Sequence, residues 1–452
     1  ANINPLGADN ITQGCGQAGQ PACAVTQGTR QLVPAGGAFR TTGATDPFNF
    51  NPFNIFQTPF RRFNVFAQGN YELTDNVEVY SRALVSQNTV RTILAPSGSF
   101  GIPVTISLNN PFLNAATRNG FCQFDTNTGV GYTPLFTPAE CAAAATATGP
   151  DDPNYREAST ALFRRATEVG PRIFTYRTDV YDVQLGFRGD LTDTIRWDVF
   201  GTYGESQNLR DTQNETLNSR IRQSLLAGPD GCFDPSNGCV PINWFGPEGS
   251  ITPEQAAFLS ETSLAFTRVS QAQARATVSG DFGKALPWAE DAVAFAVGGE
   301  YRRYSARRQA DTLGLSGDVG GTVDPNIRGG YDVYEVFGEV IAPLVQDKPF
   351  FHDLSIGGGI RYSSYTVDAP EAGNPSYNTT TWKVEGNWAP VEDVRFRGSF
   401  NRSVRAPNIS ELFTPVTTQL SNLTDDPCAS INEAGAIFRP APQGELRAIC
   451  LA

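Results

Sequence analysis

The chain has 452 residues with 34 basic and 46 acidic side chains, a balance that argues against nucleic acid, which selects basic surfaces. It holds one His and no Met, so a His-rich metal site is excluded and the sequence reads as a mature, trimmed or partial chain. No apolar run is long enough for a helical membrane span, which says nothing against a barrel, whose strands need only about 9–11 residues. The length accommodates two or three ordinary domains or one very large β domain.

Residues 1–60 are rich in Gly, Asn, Gln and Pro, enclose Cys15 and Cys23, and show no convincing strand. They read as a loop, with the Phe-Asn-Pro run at 48–54 packing on the rim of the fold. Alternation begins at Arg61: Phe63, Val65, Ala67, Gly69, Tyr71 and Leu73 share one face, opposite Arg62, Asn64, Gln68 and Glu72. Thr74-Asp75-Asn76 turns the chain, and Val77, Val79, Ala83 and Val85 carry the apolar face back. The segment from 95 to 167 reads as a long loop with Cys122 and Cys141. Within it Thr137-Pro138-Ala139-Glu140 has the form of a capping box with Pro at the first helical position, predicting a short helix that carries Cys141.

A second hairpin descends through Tyr181, Val183, Leu185 and Phe187, turns at Thr192-Asp193-Thr194, and rises through Ile195, Trp197, Val199 and Tyr203. The segment 223–263 holds Cys232 and Cys239, the block Cys239-Val240-Pro241-Ile242-Asn243-Trp244-Phe245-Gly246-Pro247, and a second capped turn at Thr252-Pro253-Glu254-Gln255. A third hairpin pairs Ala272, Ala274, Ala276, Val278, Gly280 and Phe282 with Val293, Phe295, Val297, Gly299 and Tyr301. A fourth pairs Tyr334, Val336, Gly338, Val340 and Ala342 with Leu354, Ile356, Gly358, Ile360 and Tyr362. The last sets Trp382, Val384, Gly386 and Trp388 against Val394, Phe396, Gly398 and Phe400 across the turn at 389–393. The tail Arg405-Ala406-Pro407-Asn408-Ile409-Ser410-Glu411-Leu412-Phe413 follows, and then a segment with Cys428 and Cys450.

The pattern predicts an all-β antiparallel meander of ten strands. Alternation alone does not separate a membrane barrel from a soluble sandwich, since both hide one face. None of the apolar-face positions named above is Asp, Glu, Lys or Arg. The turns at 74–76, 192–194 and 389–393 lie on one side and every cysteine segment on the other, which is the outer-membrane arrangement. Tyr71, Phe187, Trp197, Phe282, Trp388 and Phe396 cluster toward the short-turn end, as an interfacial girdle does. Each cysteine pair, 15 and 23, 122 and 141, 232 and 239, 428 and 450, sits inside one strand-free segment. Intra-loop disulfides are the simplest scheme and imply an oxidising compartment. Zinc spacing is absent, and no metal or cofactor is expected.

The tail at 405–413 closely resembles a signature of TonB-dependent outer-membrane receptors, and the block at 239–247 before its Thr-Pro-Glu helix resembles a loop of the same family. The resemblance implies a plugged barrel of about 22 strands, driven by an inner-membrane energy-coupling complex through the TonB protein. It covers the middle of such a barrel, about ten of those strands, with no plug or coupling box in the sequence. Residues 1–60 then form an external loop, 61–413 strands and loops, and 414–452 a truncated external loop. The implied activity is energy-coupled uptake of a scarce nutrient such as a ferric siderophore, cobalamin or oligosaccharide, in the outer membrane of a Gram-negative bacterium. A passive porin or surface adhesin is the alternative; a porin is not expected to carry both blocks. An enzyme is not expected, since one His leaves most triads and zinc sites without their ligands.

Strand directions follow from the short turns, so the lumen-facing positions of the outer half are Asn208, Gln273, Arg275, Glu300, Arg302, Arg361, Lys383, Asn401 and Arg405. They are the expected contacts to ligand or plug, because Arg grips carboxylate or phosphate bidentately. Trp244 and Phe245 are expected to offer stacking surfaces in the loop above.

Overall fold

A computed structural model describes residues 2–5, 31–33, 39–41, 48–124, 126, 132–320, 322–369, 373–416 and 443. In chain order the strands are β1 (Asn2–Pro5), β2 (Gln31–Leu32), β3 (Arg40–Thr41), β4 (Phe60–Thr74), β5 (Val77–Leu94), β6 (Gly98–Ser107), β7 (Glu157–Arg165), β8 (Arg172–Asp190) and β9 (Ile195–Thr216). They continue as β10 (Ala227–Gly228), β11 (Gly231–Cys232), β12 (Ser260–Asp281), β13 (Ala294–Ala310), β14 (Ile327–Lys348), β15 (Phe351–Asp368), β16 (Ser376–Val391) and β17 (Val394–Arg402). The helices are short: α1 (Ala115–Cys122), α2 (Pro138–Ala144), α3 (Asn218–Leu225), α4 (Pro253–Leu259), α5 (Thr312–Ser316) and α6 (Ile409–Phe413).

Ten strands make one antiparallel sheet in the order β17-β16-β15-β14-β13-β12-β9-β8-β5-β4, the meander that the alternation predicts. Among the described residues its end strands β4 and β17 do not pair with each other. Register keeps the predicted faces intact across the sheet: Phe187 pairs with Val199, Val199 with Ala276, Ala276 with Gly299 and Gly299 with Val336. Connections at 75–76, 191–194, 282–293, 349–350 and 392–393 all fall on one side of the sheet. The turn expected over 389–393 is shorter than that, because β16 runs on to Val391.

That sheet is not half of a dry sandwich. Its apolar face is open: Val336 is 61% exposed, Ile360 58%, Leu185 54% and Phe400 71%. An uncovered face of this extent is unstable in water and fits hydrocarbon. Its limit on the long-connection side can be read from the same parity. The outward positions of β9 are apolar from Ile195 to Tyr203 and then reach Glu205; those of β14 run from Ala342 to Tyr334 and then reach Asp332. About nine residues is the span a tilted strand needs to cross a bilayer core. Tyrosines mark the change. Tyr203 donates its hydroxyl to Glu205 at 2.7 Å and Tyr301 donates to Asp332 at 2.6 Å, so each ring stays in the apolar band while its oxygen is paired above it. Strands of up to 22 residues, about 73 Å at 3.3 Å per residue, extend well past that band.

The segments on the opposite side are not simple loops. The expectation of a strand-free stretch at 95–167 is corrected by β6 and β7, and that for 1–60 by β1, β2 and β3. These five build a second sheet, β3-β2-β1-β7-β6, in which Asn2 pairs with Phe163. The β6 sequence GSFGIPVTIS gives no clean alternation, because a bulge between Phe100 and Ile102 shifts its parity in mid-strand. Above and beside them α1 to α4 close a hydrophobic core of Ile106, Leu108, Phe121, Leu162, Ile221, Leu225, Trp244 and Leu259. The largest fully buried side chains among the described residues all lie here and none lies on the ten-stranded sheet. Burying each contributes about 1.5–3 kcal/mol.

Both predicted capping boxes form. Thr137 caps α2 with Glu140, and Thr252 caps α4 with Gln255. Cys122 bonds to Cys141, tying α1 to α2, and Cys232 bonds to Cys239. Cys15, Cys23, Cys428 and Cys450 lie outside the described residues, as does most of 414–452.

Placing a charge in the open apolar band tests its environment. Val336→Arg should destabilise the assembled sheet by about 2–4 kcal/mol and lower the folded fraction seen as heat-modifiable mobility on gels. Thr379→Arg, on the opposite face, should assemble normally. Equal tolerance of both variants counts against a lipid-facing band.

Candidate functional site

The polar face of the ten-stranded sheet gathers charge at its centre. Glu300 on β13 and Glu335 on β14 are register partners, and both are buried. Two carboxylates side by side repel unless cations intervene. Arg302 does so from two residues along, with Nε 3.0 Å from Glu300 and Nη2 2.5 Å from Glu335. Arg361 of β15 approaches from the other side, 3.0 Å from Glu335 and 3.7 Å from Glu300. Ser363 donates its hydroxyl to Glu335 at 2.6 Å, and the Gln273 amide donates to Glu300 at 3.1 Å. Arg275 and Arg361 then both approach the Phe337 ring, with guanidinium carbons 5.0 and 4.8 Å from its centroid, within cation–π reach.

The structure therefore brings together five of the predicted positions: Gln273, Arg275, Glu300, Arg302 and Arg361. Lys383 is on the same face but pairs separately, 2.5 Å from Glu339 and 3.6 Å from Glu385, with Asn401 as its register partner on β17. Asn208 donates to Thr178 at 2.8 Å, away from the cluster. Glu335, Ser363 and Phe337 complete the cluster although the sequence reading did not name them. The alternation that put Tyr334 and Val336 on the apolar face places Glu335 and Phe337 opposite, so parity applied to the whole strand finds them. Toward the long connections the same face carries Tyr304, Tyr331, Tyr365 and Tyr377.

Arg405 is not on the sheet, which corrects the expectation. β17 ends at Arg402, and the next residues leave the strand. Arg405 instead grips Glu411 with two nitrogens at 2.9 and 3.1 Å. Glu411 also accepts the Asn408 N–H at 2.8 Å, while the Asn408 side chain accepts the Glu411 N–H at 2.8 Å. The nine-residue signature is thus a capped turn with its own ion pair. Phe413 then lies on Gly329 of β14, so close that any Cβ there would meet the ring at 2.5 Å. The Arg405 guanidinium, and after it the Asn408 N–H, hold the Glu411 carboxyl below its ordinary value.

The second block is also structural. Trp244 is fully buried and Phe245 nearly so, which corrects their expected role as exposed stacking surfaces. The Trp244 indole donates to Ser224 at 2.9 Å, and Phe245 packs edge-on against Phe121 at 5.5 Å. Arg164, itself buried, organises the rest: it donates to the Asn243 and Pro247 carbonyls at 2.9 and 3.1 Å and to the Ser250 hydroxyl at 3.0 Å. Glu168, 3.4 Å from Arg164, accepts the N–H groups of Gly249 and Ile251 at 2.7 and 3.3 Å. Burial pulls the Arg164 guanidinium below its ordinary value, with Glu168 and Glu248 opposing that shift. A Pro- and Gly-rich segment with few regular backbone bonds needs such side-chain partners for its carbonyls.

The family model described as TonB dependent receptor-like, β-barrel, matches residues 109–432, well over half of the chain. No curated protein sequence matches it. Among solved structures the chain is similar to the ferric-catecholate import receptor Fiu from K12 E. coli in its closed form, at 10% identity and a TM-score of 0.28. That comparison covers 86% of this chain and 60% of the receptor, so the chain spans about 60% of the receptor's length.

Two outcomes follow from the clamps. Arg164→Ala leaves Glu168 enclosed without its cation, a loss of about 3–5 kcal/mol for a buried pair. It should open residues 240–251 to limited proteolysis while hydrogen exchange of β12 to β15 stays slow. For α6 the sign is fixed by the lowered Glu411 carboxyl: its stabilisation is complete above the ordinary carboxylate value of about 4.3 and is lost as pH falls through the lower folded value. Exchange at 408–413, corrected for intrinsic rate, should accelerate on acidification in the wild type and lose that dependence in Glu411→Gln.

Proposed function

The chain belongs to the TonB dependent receptor-like β-barrel family, and on that premise we propose that it forms part of an outer-membrane receptor for energy-coupled uptake of a scarce nutrient. One observation carries the reading. A ten-stranded meander has an uncovered apolar band on one face and an ion-paired polar face on the other, as the wall of a membrane barrel with an aqueous lumen does. The proposed location is the outer membrane of a Gram-negative bacterium, and the proposed partners are its lipid and the TonB energy-coupling complex. The disulfides at Cys122–Cys141 and Cys232–Cys239 agree with assembly in an oxidising compartment. A ferric siderophore, cobalamin or oligosaccharide is the proposed class of cargo, and no catalytic role is assigned.

Within this reading Gln273, Arg275, Glu300, Arg302 and Arg361 line the lumen wall where a ligand or plug is contacted, with Asn208, Lys383 and Asn401 as flanking polar surface. Arg275 and Arg361 are the two to test, because both lie against the Phe337 ring and neither is fully buried. The double variant Arg275→Ala/Arg361→Ala should reduce uptake in cells at unchanged surface level. Wild-type uptake should stop when the inner-membrane energy supply is collapsed. Uptake that persists without that energy identifies a passive porin; attachment without uptake identifies an adhesin.

A further inference from the structure

The polar face carries a row of rings that the ion cluster does not use. Tyr304 and Tyr331 are register partners with ring centroids 5.0 Å apart, Tyr331 and Tyr365 are 6.4 Å apart, and Tyr365 stacks on Tyr377 at 4.7 Å. The row crosses β13, β14, β15 and β16 on the side of the long connections. Since the rings turn toward one another, their faces are occupied by neighbours, and Tyr365 is buried between the others. The edges and phenolic oxygens of Tyr304, Tyr331 and Tyr377 are what remain for a ligand. Arg302 donates to the Tyr304 hydroxyl at 3.4 Å. The hydroxyls of Tyr331, Tyr365 and Tyr377 make no hydrogen bond to another described residue, and none is an oxygen shut away without a partner.

Charge decides which ligand suits the row. Arg302 and Arg361 are matched by Glu300 and Glu335, Lys383 by Glu339 and Glu385, and Arg210 and Arg308 converge on Asp324. Arg275 alone in this group has no carboxylate partner among the described residues, and it lies against Phe337 on the far side of the cluster. An anionic iron chelate would therefore meet little uncompensated positive charge beside the row. A phenol hydroxyl both donates and accepts, and the ring edge beside it is apolar. That combination matches a chain of sugar rings, which presents hydroxyls and C–H surface in alternation.

We propose that Tyr304, Tyr331, Tyr365 and Tyr377 form a track for a neutral, polyhydroxylated ligand, an oligosaccharide, on its way into the lumen. The proposal rests on the uptake reading above. It is tested with the complete receptor in its own outer membrane, using the variant Tyr304→Phe/Tyr331→Phe/Tyr377→Phe, which keeps the ring stack and removes hydroxyls. Cells are given fluorescently labelled malto-, cello- and xylo-oligosaccharides, and in parallel a ferric tris-catecholate, a ferric hydroxamate and cobalamin. The expected result is energy-dependent uptake of at least one oligosaccharide, with apparent affinity falling about tenfold in the triple variant, the sum of three modest neutral hydrogen bonds. Oligosaccharide uptake unchanged by the triple variant overturns the track. Uptake of an iron chelate or cobalamin and of no oligosaccharide overturns the carbohydrate assignment and leaves the receptor reading standing. Uptake of none, at normal surface level, overturns both.

Discussion

A strand that crosses hydrocarbon must pair every backbone N–H and C=O within the sheet and show only apolar side chains to the lipid. Much of this chain follows from that constraint. It explains the regular register through ten strands, the absence of charge on the outward positions over a span of about nine residues, and the tyrosines whose hydroxyls reach a carboxylate just past the band. It also fixes what the other face can be. With one side of each strand committed to lipid, all its polar chemistry is placed on alternate residues of the other, where Glu300, Glu335, Arg302 and Arg361 neutralise each other.

The hydrophobic core therefore lies where a soluble protein's would not. The large sheet contributes almost nothing to it, because its apolar face is satisfied by solvent of another kind. Packing that depends on water falls to the segments between the strands of the large sheet, where Trp244, Phe121 and Leu162 are enclosed, one disulfide ties α1 to α2 and a second closes the segment after β11. The Arg164–Glu168 clamp and the Arg405–Glu411 turn belong to this part. Two sequence blocks whose Trp244, Phe245 and Arg405 were expected to meet ligand are thus explained by the cost of leaving loop carbonyls and N–H groups unpaired.

Much of the sheet was legible in the sequence, because a period of two is unambiguous when only one face is apolar. Val394, Phe396, Gly398 and Phe400 could have only one orientation, and the observed register agrees. The small sheet was not legible. A bulge between Phe100 and Ile102 breaks the parity of GSFGIPVTIS against its partner EASTALFRR, and β1 is defined by pairing with a strand far along the chain. The charged site was half legible. Parity places Arg302 and Arg361 correctly, whereas Arg405 was extrapolated past the end of a strand that stops at Arg402. Burial of Trp244 was invisible, since an aromatic in a Pro- and Gly-rich block reads equally as anchor or as lure.

The two described disulfides join cysteines only 19 and 7 residues apart, each within a single connection between neighbouring strands. Neither links one hairpin to another. Oxidation can then precede insertion without knotting the chain, and each pair of strands remains free to enter the bilayer as its own unit. The pairing of Asn2 with Phe163 is of the opposite kind, for it spans β4 and β5 and can close only once both are in place. Among the described residues the covalent cross-links are local and the long-range contacts non-covalent, a division that leaves a cross-linked polypeptide able to be threaded through a membrane.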